Sequence, residues 1–342
     1  MSDLGPSPDP LPSPLLPPEA PPEGVLVVDK PGGMTSHDVV ARVRRLLGTR
    51  RVGHAGTLDP MATGVLVVLV GESTKLGPYL TADDKGYLAE VAFGRATDTL
   101  DAEGATTTTA AVPVWLGEEI AQSRAPTDSP RVTAALAAEL GRTEQVPPAF
   151  SAIHVDGRRS YDRARAGEVV ELPPRPVLVR RLAVAEMEGN PADRAEPRIQ
   201  LEVDVAKGYY VRSLARDLGE RLGVPAHLTA LRRTRSGAFQ LAEAVRLDAG
   251  PAAIRAALIP TAAAIARALP LGHLTAAGAV RARQGKRLDA ADFTTLPPVA
   301  AASAWLDPDG RLVAIGARAE AAPATDPAME EGTLSIHRGF VS

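Results

Sequence analysis

The sequence predicts an α+β fold in two structured units, because strand-like and helix-like segments follow one another without the regular βαβ alternation of a doubly wound sheet. Two further observations support this: 342 residues exceed one typical domain of about 100–200 residues, and the pattern changes near residue 241, where the chain turns alanine-rich. A composition of 45% hydrophobic and 23% charged residues is that of an ordinary globular protein.

The elements follow in order. Residues 1–23 are proline-rich and acidic and are expected to be a disordered tail, since proline cannot sustain a hydrogen-bonded ladder. From Gly24, VLVVDKPGG reads as a buried strand stopped by Pro31 and Gly32. Thr35 or Ser36 can cap a helix over about 38–47, with Val39, Val40, Val43, Leu46 and Leu47 on its apolar face and Arg42, Arg44 and Arg45 toward solvent. RVGHAGTLDPMATG, rich in glycine, is expected to be a long loop leading into the strand VLVVLVG.

KGYLAEVAFG alternates like a strand, TDTLDAEG is a turn-rich exit, and 105–130 is expected to be a variable loop. A helix is expected over 130–142, then a turn at Asp156-Gly157 with a short basic helix behind it. VLVRRLAVAEME and PRIQLEVDVAKGYYVRS are strand-like, and SLARDLGERLG is amphipathic and helical. The predicted boundaries are 24–240 for the main domain, 241–269 for a helical connection, 270–320 for a small β-rich domain and 321–342 for a flexible tail. In the small domain RLDA and AWLDPDGRLVAIG are strand-like, the latter with an Asp-Pro-Asp-Gly hairpin turn. No internal repeat is present.

Several functions are excluded early. With Cys 0 there are no disulfides, thiolate metal sites or cysteine nucleophiles. No run approaches a membrane span of about 18 apolar residues, and residues 1–23 lack the marks of a signal peptide, so a cytoplasmic location is expected. The six histidines show no pair at metal-ligand spacing, and the G-x-G-x-x-G, P-loop and G-x-S-x-G patterns are all missing. What remains is a site of carboxylate, tyrosine and arginine, with no cofactor and no metal.

Net charge is −3. The arginines nevertheless cluster: Arg42, Arg44, Arg45, Arg50 and Arg51; Arg158, Arg159, Arg163 and Arg165; Arg232, Arg233 and Arg235. Local arrangement governs phosphate binding, because exposed charges are screened beyond about 8 Å. On charge alone, each run fits a solvated face as well as an RNA contact.

Three blocks then point further. RVGHAGTLDPMATGVLVVLVGESTKL, VPPAFSAIHVDGRRSYDRARAGEVVELPPR and KGYYVRSLARDLG, in that order, resemble the TruB family of tRNA pseudouridine synthases over about residues 24–239. The resemblance implies a mixed, mostly antiparallel central sheet flanked by helices, with a PUA-like C-terminal domain. It also implies isomerisation of uridine 55 in the tRNA T loop by base flipping and a carboxylate nucleophile, in a monomer whose partner is the T arm of tRNA, with no obligate protein partner.

The same resemblance assigns the site. Asp59 is the catalytic carboxylate; nucleophilic attack splits one hard step into easier ones, at uracil C6 or ribose C1′. Tyr87 stacks on the flipped uracil and helps remove the C5 proton. Arg212 pairs with the aspartate and favours its ionised form. Tyr210 packs beneath the base, Leu231 borders the uracil pocket and His54 fills space in the T loop. Lys75 is a point charge toward phosphate, while Lys30 and Pro31 support the active-site loop. Residues 143–175 form an RNA clamp whose Arg158, Arg159, Arg163 and Arg165 face tRNA. Taken alone, Asp59 reads first as an Asp-Pro turn former, Tyr87 equally as a core strand tyrosine, and Tyr210 as a core residue.

Two alternatives stay open: a guide-RNA-dependent pseudouridylase of the dyskerin type, against which the acidic tail speaks, and a non-catalytic factor that helps tRNA fold. The proline-rich tail, the 103–130 loop and the weak C-terminal unit depart from the family pattern.

Overall fold

The computed structural model describes residues 20–81, 84–122, 130–151, 153–155, 157–185, 196–318 and 334–340. The tail expected over 1–23 lies outside them up to residue 19.

Strand β1 (Gly24–Lys30) leads into helix α1 (Ser36–Leu47). Thr35 caps it by accepting from Asp38 N, and the Asp38 carboxylate reaches back to Thr35 N, a reciprocal capping box. Gly48, in the left-handed region at φ 64°, ends the helix. Val39, Val40, Val43 and Leu47 are buried, and Arg42, Arg44 and Arg45 are exposed. Next come β2 (Val52–Ala55), β3 (Thr63–Val70), a 3₁₀ turn over Gly71–Leu76, α2 (Gly77–Thr81) and β4 (Lys85–Phe93). The expected long loop is therefore shorter at both ends: Val52–Ala55 pair in register with Val67–Val70 and bury both ends of β2, and β3 already begins at Thr63.

The chain continues through β5 (Arg95–Thr97), β6 (Thr106–Thr109), α3 (Val114–Gln122) and α4 (Pro130–Leu140). The segment 105–130 is thus not merely a loop: β6 pairs with β5, and α3 buries Leu116 and Ile120 in the main core. The 143–175 segment holds β7 (Glu144–Gln145), the hairpin β8 (His154–Val155) and β9 (Arg158–Arg159), α5 (Ser160–Arg165) and, at its end, β10 (Arg175–Pro176). Then follow β11 (Val179–Val184), β12 (Arg198–Val205), α6 (Val211–Leu222), β13 (Ala226–Ser236), β14 (Phe239–Gln240) and β15 (Val245–Arg246).

The central sheet runs β11-β12-β4-β13-β3-β1-β15, with β14 on β13 and β2 on β3. Only β13 with β3 and β1 with β15 are parallel pairs, so the sheet is mixed and mostly antiparallel. Since β15 belongs to it, the expected boundary at 240 cuts the sheet; the parallel pairing of Val28 with Val245 overrides the local alanine-rich composition.

The remaining elements are α7 (Gly250–Ala256), α8 (Thr261–Ile265), β16 (Leu271–Leu274), α9 (Ala276–Arg283), β17 (Phe293–Thr295), β18 (Ala300–Leu306), β19 (Leu312–Arg318) and β20 (Leu334–Gly339). The last five strands form a second sheet in the order β17-β16-β18-β19-β20. RLDA is not one of them, although Leu288 makes a single bridge to Leu334. Nor is 321–342 simply a tail: Leu334–Gly339 close the second sheet, and Leu334 and Phe340 are buried anchors.

Leu66, Val68 and Val70 of β3 join one core with α1, α4 and α6, whereas Val65, Val67 and Leu69 join another with α8 and the second sheet. Burial on both faces explains why this strand, with antiparallel partners β1 and β2 and a parallel partner β13, reads as an unbroken apolar run.

Candidate active site

The segment 56–60 crosses the end of β3 and is tied at each residue. Arg233, only 1% exposed, donates from Nη2 to Gly56 O (3.0 Å), from Nη1 to Thr57 O (3.3 Å) and from Nε to Val65 O (2.6 Å). Ser36, at the start of α1, accepts from Leu58 N (2.9 Å) and donates to Leu58 O (3.1 Å). Pro60 O accepts from Gly33 N (2.9 Å) and from Lys30 Nζ (3.0 Å), whose other donations go to Pro31 O and Met34 O. Lys30 is fully buried, and that desolvation pulls its ammonium down to about 8.

Between these ties stands Asp59, its side chain one-third exposed. Arg212 grips it with two nitrogens, Nε at 2.9 Å from Oδ2 and Nη2 at 3.1 Å from Oδ1. A two-point grip fixes orientation as well as charge. Arg212 is itself buried and fully engaged: it donates to Thr99 O (3.0 Å) and Phe150 O (2.9 Å), and its Nε lies 3.6 Å from Asp101 Oδ2. Asp101 is buried and accepts from Thr99 Oγ1 (2.6 Å) and Glu103 N (3.1 Å). Leu100 between them adopts φ 63°, a left-handed conformation costing a non-glycine residue about 1–2 kcal/mol. Glu103 is pushed up from its ordinary value by burial and then by the charges of Asp101 and Asp59.

The other expected residues divide. Tyr87 on β4 is partly buried against the core that contains Leu58, Ala62 and Leu231, which puts both Tyr87 and Leu231 on the Asp59 side of the sheet. Tyr210 caps α6; Gln145 bonds to both its backbone N (2.9 Å) and O (3.2 Å), and burial pushes its hydroxyl up. This fastens the 143–175 segment beside Arg212.

His54 meets the His37 ring edge-on at 5.5 Å, and its Nδ1 is buried without a hydrogen-bond partner among the described residues. Burial, then His37 and Arg233, hold His54 below its ordinary value. Lys75 points elsewhere: it pairs with Glu72 (2.5 Å), donates to Gly339 O (3.0 Å) and lies over the Phe340 ring. Arg158 is exposed and pairs with Glu168 (3.0 Å); the side chain of Arg159 lies outside the described residues.

Asp101, Ser36 and Arg233 are the participants the sequence reading missed. TDTLDAEG shows only turn composition, and Arg233 sits in a run that resembles a surface patch. Nothing in the run Leu231-Arg232-Arg233-Thr234-Arg235 separates Arg233 from its exposed-looking neighbours; only the fold shows it buried, where an unpartnered cation would be costly.

With this geometry in place, comparison with known proteins is direct. The family model described as TruB family pseudouridylate synthase (N terminal domain) matches residues 44–211, and that of the tRNA pseudouridylate synthase B C-terminal domain matches 212–257. The chain belongs to the TruB family. Proteins named tRNA pseudouridine synthase B from Thermobifida fusca (strain YX) and Cutibacterium acnes are 46% and 48% identical, over 86% and 78% of this chain and 94% and 85% of theirs. One from Nocardia farcinica is 52% identical over 66% of this chain and 69% of its own. Among solved structures, that of a Cbf5-Nop10-Gar1 complex matches at TM-score 0.65 and 25% identity, covering 93% of this chain and 85% of that one. A second, of an H/ACA RNP bound to a substrate RNA, matches at TM-score 0.64 and 23% identity over 93% and 85%. The TruB fold therefore accounts for the mixed sheet and the β-rich C-terminal unit together. No helix among the described residues is long and apolar enough to cross a membrane.

Proposed function

We propose that this TruB-family chain converts uridine 55 in the T loop of tRNA to pseudouridine, with Asp59 as nucleophile. The observation that carries the reading is a carboxylate left partly open in a loop tied at every residue and gripped at two points by a buried arginine. The bonds balance without an external reagent: N1–C1′ breaks, C5–C1′ forms, C5 loses a proton and N1 gains one. Asp59 adds to the nucleotide at uracil C6 or ribose C1′ and leaves again. Tyr87 stacks on the flipped base and assists the C5 proton, while Tyr210 and Leu231 border the base and His54 contacts the T loop.

In this reading Arg158 and Arg159 lie on the RNA-facing clamp, and the enzyme works in the cytoplasm as a single chain without a cofactor. Relatives named as tRNA enzymes at 46% to 52% identity favour this substrate over guided modification or folding help alone. The test is to incubate the purified chain with unmodified tRNA transcript and map pseudouridine through its selective chemical adduct. Modification confined to the T-loop uridine, reduced about 10³-fold or more by Asp59→Asn while tRNA still binds, is expected. Binding without modification by the unmutated chain would sink the enzymatic reading.

A further inference from the structure

In two of the three arginine clusters the described side chains already have partners within the protein, although Arg158 keeps most of its surface open. Arg158 and Arg163 share Glu168, at 3.0 and 2.7 Å, and Arg165 lies over the Tyr161 ring. Arg232 pairs with Asp29, Arg235 with Asp204, and Arg233 is buried among carbonyls.

The cluster around α1 is different. Arg44 donates to Val52 O (2.8 Å), Arg51 pairs with Glu72 (2.5 Å), and Arg42 faces the charge of Asp248. Arg45 and Arg50 are exposed and have no carboxylate partner among the described residues. Their placement is as telling as their freedom. His37 and Arg44, seven residues apart on one helix flank, both touch β2, the first at His54 and the second at Val52. Ser36 beside them holds Leu58, next to Asp59. A strip therefore runs from the candidate active site along the α1–β2 seam as far as Arg44; Arg45, the next residue, stands one helical step round toward solvent, about 12 Å along the helix from His37 at 1.5 Å per residue, and Arg50 lies just before β2.

We propose that the α1–β2 seam is a second RNA-backbone contact, in which Arg45 and Arg50 bind phosphates of the tRNA strand next to the flipped nucleotide. It rests on the tRNA reading above. A guanidinium fork matches phosphate geometry, and one with no internal acid to displace gives its full charge to the ligand. Such contacts hold register without reading sequence.

The test is binding of unmodified tRNA to the full chain by fluorescence anisotropy across a salt series. It compares the unmutated protein, Arg45→Gln/Arg50→Gln, and a charge-matched control, Arg181→Gln/Arg311→Gln, whose exposed arginines pair with Glu202 and Asp309. The seam variant is expected to lose about tenfold in affinity and to show a log–log salt slope shallower by about one to two, one released contact each. The control is expected to stay near the unmutated value. Unchanged affinity and slope in the seam variant would overturn the proposal, as would an equal loss in the control, which would reveal only bulk charge. If the unmutated chain fails to bind tRNA, the substrate reading falls first and takes the seam with it.

Discussion

In the proposed reaction the Asp59 carboxylate has to be held still without being covered, and Arg212 supplies the hold. Its guanidinium meets Asp59, Asp101 and two carbonyls at once. An ammonium, a point charge on a flexible stem, cannot satisfy that geometry. Arg212→Lys is therefore expected to lower the single-turnover isomerisation rate by about 10²-fold while leaving tRNA affinity within a few-fold; an unchanged rate would show that charge alone suffices. Lys30 offers a second test. Its folded-state value, about 8, lies below the ordinary 10.5, so between these values the unfolded chain binds more protons than the folded one. The stability contributed at this site consequently rises with pH across that window, and the penalty of the buried charge is complete below it. Denaturant titrations of the unmutated chain and Lys30→Met should diverge in favour of the former as pH rises from about 8 to about 10, and parallel curves would contradict the assignment. Pairing of Asp59 with Arg212 was legible from sequence because both lie in quoted motifs. Asp101 and Arg233 were not, because a buried charge is made tolerable by partners far away in the chain.

At the scale of elements, the site depends on how closely β13 approaches β3. Gly64, at φ 95°, pairs with Arg233, and a Cβ there would fall 2.2 Å from Arg233 O. Alanine would have to push apart the strand that positions Arg233, whose guanidinium holds Gly56 O and Thr57 O. Gly64→Ala is expected to cost about 3 kcal/mol or more and to reduce activity beyond what the stability loss explains, through the displaced loop. A variant of normal stability and normal rate would mean that the parallel pair is not needed. Long elements were readable because their patterns are strong: α1 carries its cap and apolar stripe, and β1 and β3 their apolar runs. The short β2 and β15 were missed, since strands of four and two residues are defined by the neighbours they pair with. Helix α3 was hidden by the alanine- and threonine-rich flank that suggested a loop.

For the whole molecule, the decisive fact is that the two sheets share a core. Val25, Val67, Leu69 and Leu76 from the first unit pack in one cluster with Leu306, Leu312, Ile315 and Phe340 from the second. The division expected at 270 is thus a boundary between sheets but not between hydrophobic cores. Phe340, 4% exposed, closes that cluster; its backbone N donates to Val313 O and its ring lies beneath Lys75. Lys75 thereby ties the 3₁₀ turn over Gly71–Leu76 to the end of the second sheet. A shared core makes the units unfold together, because melting the second sheet uncovers apolar surface on the first. Calorimetry is accordingly expected to show a single transition, and Phe340→Ala should lower it by an amount equivalent to about 3 kcal/mol. Two resolved transitions, with only one moved by Phe340→Ala, would show that the sheets are held by the linking chain and not by the common core.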